Sequence, residues 1–167
     1  MIKSLIYFSV EVFDGKDKRR ETDRKKGIEH TLLSYECEGA LSGTEVASLL
    51  GLDPDTVFKT LVTVSSSNRH YVFMIPVASS LDLKKAAKAA GEKKIEMIKD
   101  RELLPLTGYV HGGCSPIGMK KPFPTFIDET AVLFDRIYFS AGRIGCQVAM
   151  APSDLMKLVP IRCADLI

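Results

Sequence analysis

The chain has 167 residues, 46% of them hydrophobic and 26% charged, with a formal net charge of +2. That length suits one domain with its own core, and the composition is that of a folded protein. A charge so close to zero excludes any argument for a nucleic-acid partner from bulk charge; it would have to rest on where the charges sit. The four cysteines, Cys37, Cys114, Cys146 and Cys163, form no C-x-x-C pair, and with three isolated histidines they make no recognisable metal spacing. Reduced thiols in a cytoplasmic protein are the expectation. The apolar run at residues 5–10 stops at Glu11 and lacks a small-residue cleavage site, so it reads as neither signal peptide nor membrane span.

In chain order, residues 4–13 read as a strand or a short helix. Residues 14–26 carry seven basic and four acidic side chains, as an exposed helix or an arm. Residues 27–35 read as extended and 36–41 as loop. Ser42-Gly-Thr-Glu45 is a capping box, followed by Val46, Leu49 and Leu50 at helical spacing and a stop at Gly51. Asp53-Pro-Asp55 predicts a turn. Residues 56–64 predict a strand with Phe58, Thr60, Val62 and Val64 on one face and Val57, Lys59, Leu61 and Thr63 on the other. Residues 71–77 predict its hairpin partner.

Asp82 predicts the cap of a helix through Ala90, with Leu83, Ala86, Ala87 and Ala90 inward and Gly91 at its end. Residues 95–98 suit a short strand, 100–104 one helical turn before Pro105, and 125–127 an apolar segment. Residues 131–134 suit a strand or a helix start. Residues 136–140 predict a strand, 141–145 a tight turn and 146–150 the partner strand. Ala151-Pro-Ser-Asp154 opens a last helix reaching about Val159, with Pro152 where a missing N–H costs little. Short strands with interspersed helices imply an α+β or mixed α/β domain, a curved sheet with helices packed outside.

Two features point toward chemistry. Gly108-Tyr-Val-His-Gly-Gly-Cys-Ser-Pro-Ile-Gly-Met-Lys-Lys121 places Gly112 and Gly113 side by side, leaving bare amides that can converge on one oxygen. Pro116 stiffens the turn, and Lys120 and Lys121 are expected at its mouth. The plainer reading is a tight turn with a solvated lysine pair. The second feature is Lys59, on an otherwise apolar strand face between Val57 and Leu61. A buried ammonium needs water or an anion, so Lys59 either snorkels at a strand end or holds a phosphate. Cys114 with His111 three residues before it is a weaker nucleophile candidate; a small apolar filler explains it better.

The residues Val57-Phe-Lys-Thr-Leu61, Pro76-Val-Ala-Ser-Ser-Leu-Asp-Leu-Lys-Lys85, the glycine loop and Tyr138-Phe-Ser-Ala-Gly-Arg-Ile-Gly145 together resemble the YbaK/EbsC family. The similarity runs from about Gly27 to the C terminus, which divides the chain into a divergent segment at 1–26 and a YbaK-like domain at 27–167. The Gly-Gly-x-Ser-Pro-x-Gly pattern resembles the Cys-tRNA(Pro) deacylase branch. The resemblance implies the single-domain editing fold that also occurs inserted in bacterial prolyl-tRNA synthetases. It implies removal of mischarged cysteine from tRNA(Pro) in trans, without metal or cofactor, with Cys-tRNA(Cys) as a further substrate. The substrate's own thiol would close on its ester carbonyl and leave as a thiolactone.

Residue by residue, the resemblance carries the family's key lysine and the threonine after it onto Lys59 and Thr60, its glycine pair onto Gly112 and Gly113, and its late-strand serine onto Ser140. Ser115 lies in the same loop motif. Lys59, Lys120, Lys121 and Arg143 are the expected tRNA contacts. Counting back from Lys59, the branch's pocket tyrosine and phenylalanine fall on Leu33 and Ser42, with Tyr35 in the tyrosine's place if the alignment slips by two residues. A family aspartate falls on Gln147, which keeps hydrogen bonding and loses charge. Cys-tRNA(Pro) is the expected partner, with prolyl-tRNA synthetase as a second and a monomer or weak dimer as the oligomeric form. The alternatives are a non-catalytic module for tRNA ends or nucleotides, and a water-using deacylase for alanine or serine.

Overall fold

The computed structural model describes residues 28–167; the readings made for the apolar run and the charged run before them lie outside the described residues. Strand β1 (His30–Ser34) leads through a loop to helix α1 (Gly43–Leu50). The capping box forms as its sequence requires: the Glu45 amide donates to Ser42 Oγ at 3.3 Å and the Ser42 amide to Glu45 Oε2 at 2.8 Å. Gly51 ends the helix with φ 65°, a left-handed conformation that glycine adopts without a side-chain penalty. A 3-10 turn at Pro54–Thr56, capped by Asp53, delivers the chain to β2 (Phe58–Ser65). β2 and β3 (His70–Pro76) form the hairpin in unbroken antiparallel register, Lys59 opposite Ile75 and Thr60 opposite Met74.

Helix α2 (Leu83–Ala90) is capped by Asp82, whose Oδ1 accepts the amides of Lys84 and Lys85. Its inward face is narrower than expected: Ala86 and Ala87 are buried, whereas Leu83 in the first turn is 39% exposed. Glu92, just past its end, accepts the Tyr71 hydroxyl at 2.6 Å and pairs with Arg69 at 2.9 Å, tying the helix to the hairpin. After β4 (Ile95–Met97), helix α3 (Asp100–Thr107) runs past Pro105 instead of stopping before it. The Thr107 hydroxyl bonds the Leu103 carbonyl at 2.7 Å and holds the last turn closed. A proline there forfeits the bond its own N–H would make, and its ring crowds the carbonyl four residues before it.

The second half alternates short elements. β5 (Thr125–Asp128) is followed by a 3-10 turn at Glu129–Leu133, which settles the strand-or-helix question left at 131–134. Strand β6 (Ile137–Arg143) extends three residues beyond the expected strand. An irregularity between Ser140 and Arg143 absorbs Ala141 and Gly142, so the reversal to β7 (Cys146–Met150) is tighter than expected. Helix α4 (Pro152–Leu158) and an unforeseen strand β8 (Ile161–Ala164) complete the chain.

The mixed α+β class is as expected, but the strands divide between two sheets: β4-β2-β3-β5-β8 and β1-β7-β6. β3–β5 and β5–β8 pair in parallel, and the other ladders are antiparallel. One core, with Phe58, Met74, Ile127, Ile137, Phe139 and Met150, contains side chains from both sheets and from α4. A second, with Phe73, Ile75, Ala86, Ile95, Phe126 and Leu166, packs the other face of the larger sheet against α2. Complete burial of residues such as Phe73 and Phe139 contributes about 1.5–3 kcal/mol each. The two sheets are joined in backbone pairing by one isolated parallel bridge, Val57 to Tyr138.

Candidate functional site

The site arises from that bridge. Pairing between β2 and β6 does not continue past Val57 and Tyr138, and β4 joins the same edge of β2 only from Thr63 onward. Residues 58–62 therefore line an interval of sheet edge with no neighbouring strand in ladder register. Beside it lies a cavity of about 360 Å³, within the range of small-ligand sites. Lys59, Thr60 and Leu61 form one wall, Ser140 and Gln147 another, Leu41 to Thr44 a third, and Gly112 with Cys114 a fourth.

Lys59 and Thr60 have opposite sheet neighbours. The register has no bulge, Ile75 across from Lys59 belongs to the core under α2, and Met74 across from Thr60 belongs to the core between the sheets. Their side chains thus leave opposite faces, as the alternation predicts. Both reach the cavity because it wraps the uncovered edge. The Lys59 ammonium donates to the Val77 carbonyl at 3.4 Å, and burial pulls its pKa below the ordinary lysine value. Thr60 Oγ1 is buried and is the one buried side-chain polar atom among the described residues without a hydrogen-bond partner. A buried hydroxyl left unpaired is destabilising, and the part of the half-buried Thr60 that faces the cavity is not this oxygen.

The glycine loop is held shut from within. The Tyr109 hydroxyl donates to the Ile117 carbonyl, the Thr107 hydroxyl accepts the Tyr109 amide at 3.0 Å, and the Lys120 amide donates to the Thr107 carbonyl at 3.0 Å. Gly112 has φ 83°, and a Cβ there would fall 2.8 Å from the Ala40 Cβ. Gly113 differs. Its amide donates to the Val110 carbonyl at 3.0 Å, and a Cβ would press on the Arg143 backbone at 3.2 Å. The expected pair of free amides is thereby corrected to one candidate: Gly112 lines the cavity, and Gly113 closes a turn against the β6–β7 reversal.

The other expected residues separate in the same way. Ser42, Ser140 and Gln147 line the cavity with Lys59, Thr60 and Gly112. Ser115 does not; it is 2% exposed, and its hydroxyl accepts the Ile117 amide at 3.3 Å as part of the loop's framework. Leu33 lies opposite Gln147 in the β1–β7 ladder, outside the cavity lining. Tyr35 is the residue whose side chain lies near Gln147, and burial pushes the tyrosine's pKa up. Lys120 lies over Gly108, and its ammonium reaches the Leu104 carbonyl at 3.5 Å, so it serves the C-terminal end of α3 rather than the cavity mouth. Lys121 and Arg143 are exposed and also lie outside the lining.

Several lining residues had no signal in the sequence. Val77, Met97, Asp100 and Leu103 come from segments that read as ordinary strand and helix, and only tertiary packing brings them together with His111 of the glycine loop. Asp100 and His111 approach to 3.9 Å, both largely exposed. Cys114 is a filler: burial pushes its thiol up to about 12, far from the thiolate needed for attack at neutral pH. Among the described residues, no group of three or more His, Cys, Asp or Glu could hold a metal ion, and no helix is long and apolar enough to cross a membrane.

A two-sheet α+β fold with a small cavity at an uncovered strand edge, lined by apolar side chains together with Lys59, Thr60, Ser140, Gln147 and the glycine loop, defines a receptor for a small group with polar and apolar parts. The chain belongs to the aminoacyl-tRNA editing domain family, whose model matches residues 37–158. It is 40% identical over 157 residues, 90% of this chain and 96% of the relative, to EbsC of Enterococcus faecalis (strain ATCC 700802 / V583), a candidate Cys-tRNA(Pro)/Cys-tRNA(Cys) deacylase. It is 30% identical over 101 residues to a proline–tRNA ligase of Shouchella clausii (strain KSM-K16), a match covering 60% of this chain and 18% of the ligase. The fold matches a crystal structure described as that of a candidate trans-editing enzyme for prolyl-tRNA synthetase, with TM-score 0.77 and 24% identity over 89% of this chain and 95% of that one. A hypothetical protein matches with TM-score 0.81 and 23% identity over 90% and 99% of the two chains.

Proposed function

We propose that this chain is a trans-acting aminoacyl-tRNA deacylase that removes cysteine from Cys-tRNA(Pro), and from Cys-tRNA(Cys), by thiol-assisted cyclisation. The observation that carries the reading is the convergence of Lys59, Thr60, Gly112, Ser140 and Gln147 on one small cavity at the uncovered edge of β2. Family membership and the name of the 40% identical relative support it.

In this mechanism the cysteinyl ester enters the cavity with its tRNA 3′ end toward Lys59, whose desolvated ammonium pairs with a phosphate or ribose oxygen. The substrate sulfur forms a bond to its own ester carbonyl carbon while the bond from that carbon to the ribose oxygen breaks. The thiol proton ends on the ribose hydroxyl, leaving free tRNA and a cysteine thiolactone. No protein nucleophile is needed; fixing the thiol over the carbonyl supplies several kcal/mol through proximity alone. The Gly112 amide donates to the oxyanion that develops on the carbonyl oxygen. Alanine, serine and proline resemble cysteine too closely in size for exclusion by fit, which discriminates by only about 1–3 kcal/mol per methylene, but they have no thiol.

The test is incubation of the protein with tRNA charged by cysteine, alanine, serine or proline. Selective loss of cysteine with appearance of the thiolactone is expected. Release of alanine or serine, or binding without release of any amino acid, overturns the reading. Prolyl-tRNA synthetase would act as partner by presenting tRNA(Pro), and its addition is expected to raise the rate on Cys-tRNA(Pro) more than on Cys-tRNA(Cys).

A further inference from the structure

The uncovered interval of β2 presents main chain as well as side chains. The Ser65 amide bonds Arg69 and the Val57 carbonyl accepts Val77, both toward β3, whereas the Val62 carbonyl accepts the Ile98 amide on the opposite edge. N–H and C=O of one residue leave a strand on the same side, and successive residues alternate. Odd-numbered residues of β2 therefore bond β3, and even-numbered ones face the other edge. At Thr60 that edge has no ladder partner, since the bridge to β6 stops at Val57 and β4 pairs only from Thr63. The Thr60 N–H and C=O consequently point toward the side where the cavity lies.

An aminoacyl ester with a free amine carries an amine nitrogen and a carbonyl oxygen separated by one Cα, the same disposition as one residue of a neighbouring strand. We propose that Thr60 binds the aminoacyl group as a one-residue antiparallel strand: its C=O accepts the substrate α-amine, and its N–H donates to the ester carbonyl. This deepens the deacylase reading and rests on it. It also supplies a second donor for the carbonyl oxygen, a position the Gly113 amide leaves open by bonding Val110.

The pairing sets stereochemistry. Residues directly opposite in an antiparallel pair project their side chains to the same face. An L-cysteinyl side chain would lie on the Thr60 side of the sheet, the face shared with Met74. A D-cysteinyl side chain would project to the Lys59 side. Main-chain pairing is blind to the side chain otherwise, so the amino acid is read by its handedness and amine first and by its thiol second.

Two variants separate the main chain from the hydroxyl. Thr60→Val removes the hydroxyl alone, and Thr60→Pro removes the hydroxyl and the N–H. Proline is tolerated where a strand's N–H faces an unpaired edge, and no bond to β3 is lost. Deacylation of Cys-tRNA by Thr60→Pro is expected to fall about 10- to 100-fold below that by Thr60→Val, the range of one buried hydrogen bond. Equal rates would overturn the proposal.

Non-hydrolysable 3′-amide analogues of aminoacyl-adenosine, measured by calorimetry on the unaltered protein, provide a readout independent of turnover and of folding. The L-cysteinyl analogue is expected to bind about 10-fold or more tightly than the 3-mercaptopropionyl analogue, which lacks the amine, and than the D-cysteinyl analogue. Amine- and L-dependent binding without deacylation would sink the deacylase reading and leave the pairing standing. Deacylation with no dependence on amine or handedness would sink the pairing and leave the deacylase reading standing.

Discussion

Replacing Gly112 with alanine tests the loop's role. At φ 83° an L-residue is in the left-handed region, which costs about 1–2 kcal/mol, and the new Cβ would stand 2.8 Å from the Ala40 Cβ. Ala40 lies in an exposed loop and can move, so a total near 2 kcal/mol is expected, well inside the roughly 5–15 kcal/mol stability of a domain. For a chain of this size that is a fall of about 4–8 °C in Tm, and the protein stays folded. Activity should respond far more, because displacing one oxyanion donor typically costs about 100- to 1,000-fold in kcat. Gly39→Ala is the matched control. Its φ is 88°, no atom lies within 4 Å of its would-be Cβ, and it is outside the cavity lining. It should lose comparable stability and keep full deacylation of Cys-tRNA. Thermal melts beside single-turnover deacylation give both quantities. If Gly112→Ala melts as expected and still deacylates like the unaltered protein, the Gly112 amide has no part in the chemistry.

Lys59→Met should lower the slope of log binding against log salt by about 0.7 if the ammonium meets one phosphate of a single-stranded tRNA end. Its effect on stability runs the other way. Burial depresses the folded-state pKa of Lys59, so the unfolded chain binds more protons between that value and the ordinary 10.5, and stability rises with pH across that window. At pH 7 the full desolvation penalty is present, so Lys59→Met should melt at or above the unaltered protein, with the difference shrinking as pH approaches 10.5; a clear drop at pH 7 would refute this. Cys114→Ala should retain deacylation within a few-fold, and iodoacetamide at pH 7.5 should leave Cys114 unmodified in the folded protein, as a thiol raised to about 12 requires. Ser42→Ala should cost about 1 kcal/mol through loss of the capping box, seen in urea melts, and leave deacylation within a few-fold; an activity loss beyond that would make Ser42 a substrate contact.

Local chemistry was legible wherever it acts within a few residues. The Ser42 and Asp82 caps, the left-handed stops at Gly51 and Gly91, and the alternation that sends Lys59 and Thr60 to opposite faces all follow from neighbours in the chain. What the sequence leaves unread depends on partners far along it. β8 forms because β5 offers a parallel edge to residues 161–164, and nothing in Ile161-Arg-Cys-Ala announces that edge. Pro105 misleads because a helix survives the loss of one amide when Thr107 secures its end. Gly112 and Gly113 look alike in sequence and differ in role, since only the packing of the β6–β7 turn engages Gly113. Lys120 and Lys121 could be counted but not aimed.

The gap along β2 also bears on how the protein behaves among its own kind. An unpaired strand edge at a protein surface is a template for other chains and an invitation to aggregate. Here the interval without a ladder partner spans only residues 58–62, with the Val62 carbonyl already accepting the Ile98 amide, and it is bounded by the Tyr138 bridge at one end and β4 at the other and flanked by the α1 entry and the glycine loop. A foreign polypeptide strand is too long to enter such a slot, whereas a lone amino acid on a flexible tether is not. The same enclosure that admits a guest of that size keeps the molecule from zipping onto its neighbours.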